Sequence, residues 1–298
     1  MTTQIHTIYY FNLFGNGDLH YSREFIKDFI LKIPIKSFIT HKKCPFLLRD
    51  VLVEYSSVMP SQETQPNETG FFVENNILFC GTWIGQHHYK WCNATGCCNI
   101  KNNYNMYSSF ANRLNIQLKN ELDYIPEIDY SKYSIDDIKI TLDKNILVSN
   151  GMCMSGQAMN FDMNPMITTL ALKHPSCNFY VTHGFPTELT NIIDCNTIIS
   201  EKTKSNLNEI SYISTLCDII VGRGSGPFCF THVKENLYNK NKTYISTGNT
   251  EREINWVTMS DYNLEEHAKQ LWIGSAPDTP NRLYDLIDEE INAKFGNR

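Results

Sequence analysis

Residues 218–229, DIIVGRGSGPFC, set an apolar, β-branched run directly before a glycine-rich turn. Pro227 then stands where a fixed φ suits the first turn of a helix. Glycine lets a backbone approach a ligand closely. The N–H groups that open a helix, together with its dipole, favour a phosphate or pyrophosphate. Gly224, Ser225 and Gly226 would supply such groups and a hydroxyl, and Arg223 a positive charge. The pattern is neither a Walker loop nor GxGxxG, so an ordinary tight turn is the competing reading. A second turn, Gly15-Asn16-Gly17-Asp18-Leu19-His20, also lies between a strand-like and a helix-like segment. There Asp18 fits either an N-cap or a general base projecting from a strand end. His20 would orient a ligand or sit exposed in the first turn. A third set of polar residues follows the strands of the second half: Ser149, Asn150, Ser155-Gly156-Gln157 and His183. Converging beside the glycine-rich turn, they would line a nucleotide pocket.

Other chemistries fit less well. Cys92, Cys97 and Cys98 lie near His87 and His88, but no CxxC pair is matched by a second pair, which argues against structural zinc. There is no Asp-x-Asp to hold a divalent metal on a diphosphate. A GxSxG elbow centred on Ser225 would need glycines where Arg223 and Pro227 stand. Leu19 after Asp18 departs from a GDS-type esterase turn.

These turns need elements to position them, and strand-turn-helix units recur along the chain. IHTIYYFNLF reads as a buried strand. The following helix carries Phe25, Ile26, Phe29, Ile30 and Ile33 on one face, with Arg23, Glu24, Lys27, Asp28 and Lys32 opposite, and Pro34 ends it. NNILFCGTW reads as a strand, and residues 104–119 as a helix. The second half restarts with strands at 145–149, 177–182, 196–200 and 218–221. Its helices fall at 164–173, at 207–217 behind a capping box of Asn206 and Glu209, and at the C-terminus. Between the halves, the acidic stretch 120–144, with Pro126 and no long apolar run, suits a linker, and the boundary is placed near Asp143. Alternating strands and helices imply an α/β fold with parallel sheets.

Composition narrows the class. At 298 residues the chain suits about two domains of ~100–200 residues each. A net charge of −6 provides no basic field, which excludes a nucleic-acid partner held by phosphate neutralisation. No run approaches the ~18 apolar residues of a membrane span. The N-terminal stretch lacks the positive n-region of a signal peptide and reads as a buried strand. Ten scattered cysteines, including Cys80, Cys153, Cys217 and Cys229 within apolar segments, suit free thiols in a reducing, cytoplasmic setting.

On Gly17-Asp18-Leu19-His20 and Arg223-Gly224-Ser225-Gly226-Pro227, the latter preceded by NLNEISYISTLCDIIVG, the chain resembles a GT-B-fold glycosyltransferase. It is most similar to the heptosyltransferase-like group, glycosyltransferase family 9. YSREF stands where that family has a proline-containing segment after its Gly-Asp. The resemblance implies two facing Rossmann-like domains. Residues 1–143 would form the acceptor side and 144–298 the nucleotide-sugar side, with the C-terminal helix able to pack back on the first domain. It implies an inverting, metal-independent transfer with no cofactor beyond a nucleotide-diphospho-sugar donor, and a glycan or other hydroxyl acceptor. Asp18 would be the catalytic base, with Gly17 and His20 against substrate. Asn150, His183, Arg223, Gly224, Ser225 and Gly226 would hold the donor. Two other readings stay open: a catalytically silent GT-B module that binds nucleotide or glycan, and a sugar-nucleotide epimerase, which calls for more acids and histidines at its site.

Overall fold

The structure is a computed structural model that describes residues 5–12, 15–41, 47–58, 71–82, 99–141, 143–154, 156–200, 205–224, 226–249 and 256–296. The chain divides into two compact units, Met1–Asp129 and Tyr130–Arg298.

In the first unit, the aromatic and β-branched run becomes β1 (Thr7–Asn12), buried from Ile8 onward. There follow α1 (Asn16–Tyr21), α2 (Arg23–Lys32), β2 (Lys36–His41), β3 (Glu54–Tyr55), β4 (Phe71–Glu74), β5 (Ile77–Gly81) and α3 (Ile100–Arg113). The sheet order is β3-β2-β1-β5-β4, with β1 parallel to both β2 and β5. β4 returns antiparallel on β5. Asn75 and Asn76 make that turn with φ of 49° and 65°, the left-handed geometry a two-residue hairpin needs. The sheet expected to be parallel is therefore mixed at this one edge.

Charge placement on α2 departs from its sequence pattern. Phe25, Ile26 and Phe29 are buried as expected, but so are Arg23 and Asp28 from the face assigned to solvent. Arg23 is ion-paired with Asp50 and donates to the Leu47 carbonyl at 3.1 Å. Asp28 accepts from Tyr124 Oη at 2.9 Å and Lys32 Nζ at 2.7 Å. Partnered in this way, charges tolerate burial. Phe25 stacks between Tyr107 and Tyr124, with ring centroids 4.1 and 3.9 Å away. α3 stops short of the predicted 119 because Asn115 turns left-handed, with φ 53°.

The second unit contains β6 (Asn145–Ser149), α4 (Asn164–Lys173), β7 (Asn178–Val181), β8 (Ile192–Asp194), α5 (Cys195–Ile198), α6 (Leu207–Thr215), β9 (Ile219–Arg223), α7 (Gly226–Cys229), α8 (Lys234–Leu237), β10 (Thr243–Gly248), β11 (Lys269–Gly274) and α9 (Thr279–Phe295). Its six strands are all parallel, in the order β8-β7-β6-β9-β10-β11. Numbered within the unit this is 3-2-1-4-5-6, the order of a dinucleotide-type Rossmann sheet. β6, β9 and β10 are buried along their whole length, which is why β6 and β9 read as apolar runs; β10, TYISTG, is buried without one. α4 and α9 cover one face, with Ile167, Leu170, Leu283, Ile287 and Ile291 packed over Ile146, Val148, Val221 and Ile245. Thus α9 packs on the sheet of its own unit.

Several local expectations change. The strand expected at 196–200 is the helix α5, because the Asp194 carboxylate accepts from the Asn196 backbone N–H at 2.9 Å and starts a helical turn; the strand β8 lies just before it. Asn206 caps α6 by position without a side-chain hydrogen bond, so the capping box does not form. The stretch from Tyr130 onward lies with the second unit, where Tyr130 Oη is 3.0 Å from Ser211 Oγ. Among the described residues, Cys80, Cys153, Cys177, Cys195 and Cys217 are buried and Cys229 is partly buried, and none of them forms a disulfide. Also among these residues, no helix is long and apolar enough to cross a membrane.

Candidate functional site

In an open parallel sheet, ligands bind beyond the carboxyl ends of the strands where strand order reverses. In the second unit that point lies between β6 and β9. Asn150-Gly151 leaves β6 there, and Gly224 and Gly226 follow β9. His183-Gly184 follows the neighbouring β7. The topology thus brings together Asn150, His183, Arg223, Gly224 and Gly226. Ser225 and Ser155 lie outside the described residues.

Asn150 is committed to the protein. Its Nδ2 donates to the His183 carbonyl at 2.8 Å and to Asn164 Oδ1 at 3.1 Å. Its Oδ1 accepts from the His183 N–H at 2.9 Å and from Thr182 Oγ1 at 3.4 Å. With both donors and both lone pairs used, it splices the end of β7 to the end of β6 and fixes His183. His183 itself is exposed. Its ring lies against Gly151, where an added Cβ would come within 2.6 Å of Cε1.

Arg223 ends β9 but is fully buried. Nη1 donates to the Gly151 carbonyl at 2.6 Å, Nη2 donates to the Phe161 carbonyl, and Cζ sits 4.7 Å from the centre of the Phe161 ring. Burial lowers its pKa from the ordinary arginine value. Rather than reaching outward as the sequence suggested, the guanidinium ties the segment after β6 to the end of β9. That segment is held elsewhere too. Asn160 clasps both backbone groups of Cys153, at 2.7 and 3.0 Å, and Cys153 Sγ donates to the Gly224 carbonyl at 3.4 Å. Asn249, just past β10, donates to the Gln157 and Gly156 carbonyls at 2.8 and 3.0 Å. Three buried polar atoms at this edge have no hydrogen-bond partner among the described residues: Ser149 Oγ, Arg223 Nε and Thr247 Oγ1. They end three adjacent strands, since Ser149 pairs in register with Gly222 and Thr247 with Arg223. Orphaned groups gathered in one place suit a site that a ligand or water completes.

The glycine-rich turn opens onto α7, which has only four residues and so little macrodipole to offer an anion. Its contribution rests on backbone N–H groups. Gly222 serves packing, since a Cβ there would fall 2.5 Å from Phe228 Cδ2.

In the first unit the corresponding reversal lies between β1 and β5. Asn12 ends β1 and its Oδ1 accepts from the Gly15 N–H at 3.0 Å, turning the chain into α1. Gly15 is the N-cap, so Asp18 sits inside the first turn instead of capping it. The half-buried Asp18 folds its carboxylate back over Gly15, where any Cβ would overlap Oδ2. Gly17 lies between them in the same turn. His20 is fully buried beside Tyr21, with ring centroids 5.6 Å apart, rather than exposed to solvent.

The residues that sequence reasoning missed are Cys153, Asn160, Phe161, Thr247 and Asn249. Only the strand-end position of Thr247 and Asn249 carried a signal, and β10 itself went unread. Among the described residues, no group of three or more His, Cys, Asp and Glu side chains is placed to hold a metal ion. The Cys92, Cys97, Cys98 cluster with His87 and His88 lies outside them.

No protein-family model matches the sequence, and no curated protein matches it. Solved structures do match in fold. The glycosyl transferase family 9 protein of Veillonella parvula DSM 2008 is 10% identical at a TM-score of 0.50, over 99% of this chain and 97% of that one. The E. coli heptosyltransferase WaaC, solved with ADP, is 9% identical at 0.54, over 97% and 99%. The E. coli ADP-heptose lps heptosyltransferase II is 11% identical at 0.52, over 97% and 99%. The chain has the GT-B fold of these heptosyltransferase-like proteins, shared without sequence similarity.

Proposed function

We propose that the protein is a glycosyltransferase that moves a sugar from a nucleoside-diphosphate sugar to a hydroxyl of a glycan or glycoconjugate. The observation that carries this reading is the 3-2-1-4-5-6 sheet of the second unit, with Asn150, Gly151, His183 and the 223–226 turn at its switch point. One fold relative, the E. coli heptosyltransferase WaaC, was solved both with ADP and with ADP-2-deoxy-2-fluoro heptose, which supports a nucleotide-sugar as the donor class.

In this reading the donor diphosphate meets the backbone N–H groups of residues 224–226, and His183 borders the pocket. Asp18 takes the proton from the acceptor hydroxyl as its oxygen attacks the anomeric carbon. The carbon–oxygen bond to the diphosphate breaks, the nucleoside diphosphate leaves, and the anomeric configuration inverts. Fixed N–H dipoles stabilise the leaving charge in place of a metal. The buried thiols, none in a disulfide among the described residues, support a reducing, cytoplasmic setting.

The test is a thermal-shift titration with UDP, GDP, ADP and CMP, with and without EDTA, followed by NMR of the product anomer. A ligand of the native state raises the midpoint by mass action. The expected result is a shift with one nucleoside diphosphate, unchanged by EDTA, and an inverted product. No shift with any of the nucleotides overturns the reading.

A further inference from the structure

Arg223 is the largest charge buried at the switch point, and the nearest carboxylate that acts on it, Asp162, forms no ion pair with it among the described residues. It has no solvent exposure. Its partners are two carbonyls and the face of Phe161. Among the described residues no carboxylate lies within ion-pair distance of it, and its Nε has no acceptor. A buried cation without a counter-charge in contact is costly, and carbonyl dipoles offset only part of that cost. Burial lowers its pKa, and the nearby Asp162 charge offsets only part of that. The two carbonyls it holds, on Gly151 and Phe161, flank the segment that runs past the ends of β9 and β10. Gly224 and Gly226, next along the chain, are where the proposed diphosphate binds.

We propose that Arg223 is a positioning residue whose buried charge, in contact with no carboxylate, is balanced by the anionic diphosphate of the donor, so that anion binding and the order of the segment bearing Gly151–Cys153 and Asn160–Phe161 are coupled. The proposal rests on the nucleotide-sugar reading and deepens it. Arg223 acts through that segment, without touching the reacting atoms. The two-point geometry matters as much as the charge, because a planar fork can hold two carbonyls and lie on a ring at once, and an ammonium cannot.

Cys153 provides a readout independent of activity. Its thiol is 2% exposed and held to the Gly224 carbonyl, so it reports the order of this segment. The experiment measures the rate of Cys153 alkylation by mass spectrometry, with and without inorganic pyrophosphate. It compares wild type with Arg223→Lys, Arg223→Met and the milder Phe161→Leu, whose side chain is only partly buried. Pyrophosphate is expected to slow labelling of the wild type about threefold or more. Arg223→Lys and Arg223→Met should label about tenfold faster and lose the protection, with Phe161→Leu in between. If an Arg223 variant fails to fold, Phe161→Leu and the wild-type protection decide the matter. Pyrophosphate protecting every variant as it does the wild type overturns the coupling and leaves the nucleotide-sugar reading standing. Pyrophosphate failing to protect the wild type, together with no nucleotide shift, overturns both.

Discussion

Gly151 and His183 are locked together: a Cβ on Gly151 would lie 2.6 Å from Cε1 and 2.8 Å from Nδ1 of the imidazole. Asn150 holds the His183 backbone from the other side, at 2.9 and 2.8 Å. The absence of a side chain at 151 therefore sets where an exposed imidazole stands at the switch point. Gly151→Ala is expected to displace that ring and weaken nucleoside diphosphate binding about tenfold, or ~1.4 kcal/mol. Because His183 is exposed, the ring can move without unfolding the unit, and the thermal midpoint should hardly change. His183→Ala should cost a similar amount, and the double variant no more than either single one, since both remove one interaction. Calorimetric titration of all three decides it; additive losses would show that the two residues act separately.

A similar pairing holds in the first unit, where the Asp18 carboxylate lies over Gly15. If Asp18 is the base, Asp18→Asn keeps shape and removes proton acceptance. Turnover should fall by about 10²–10⁴-fold, the usual worth of general base catalysis, with donor affinity unchanged. Gly15→Ala should lower turnover too, by pushing the carboxylate aside. Steady-state kinetics with donor binding measured separately checks both. Near wild-type turnover in Asp18→Asn would assign the proton to another group.

The central strands of the second unit were legible because NILVS and DIIV are buried on both faces and so read as unbroken apolar runs. The turn residues were legible because glycines cluster at strand ends. What stayed hidden depends on partners distant in sequence. Arg23 and Asp28 looked solvent-facing until Asp50 and Tyr124 came to meet them. Arg223 looked like a ligand contact because nothing in the sequence places Gly151 and Phe161 over it. Asn150 looked like a pocket residue, yet its hydrogen bonds go to the neighbouring strand end. At 196–200, the β-branched run NTIIS outweighed the local cap from Asp194 that makes a helical turn.

Acid should destabilise the protein through His232. It is fully buried, with Phe228 edge-on at 5.1 Å and Tyr244 at 5.4 Å between ring centroids. Burial pushes its pKa down to about 3. Between that value and the ordinary ~6.5, the unfolded chain binds a proton here that the folded chain does not. Stability contributed by the neutral ring is thus full above pH ~6.5 and falls by up to about 1.4 kcal/mol per unit as pH drops below it. His232→Phe, which keeps a ring, should flatten the thermal midpoint between pH 7 and 5 relative to wild type. Parallel profiles for the two proteins would remove His232 as the cause.

Lys242 does its work at the end of α6. It is 5% exposed, and its Nζ donates to the Ser214, Thr215 and Cys217 carbonyls at 3.1, 2.8 and 2.6 Å. Those are carbonyls that the end of a helix leaves without partners. A cation at a helix C-terminus also complements the dipole. Burial lowers the pKa of this lysine, so its desolvation is a real cost that the three hydrogen bonds must outweigh. Lys242→Met keeps the apolar stem and deletes all three donors, leaving buried carbonyls unsatisfied. The expected loss is about 2–4 kcal/mol, seen as a thermal midpoint lower by roughly 5–10 °C. Lys242→Arg should recover only part of it, because a planar fork cannot point three donors at one helix end as a compact ammonium does. Differential scanning calorimetry of both variants checks the claim. An unchanged midpoint for Lys242→Met would mean that water or a neighbouring group satisfies the end of α6 and that the burial of this charge serves something other than stability.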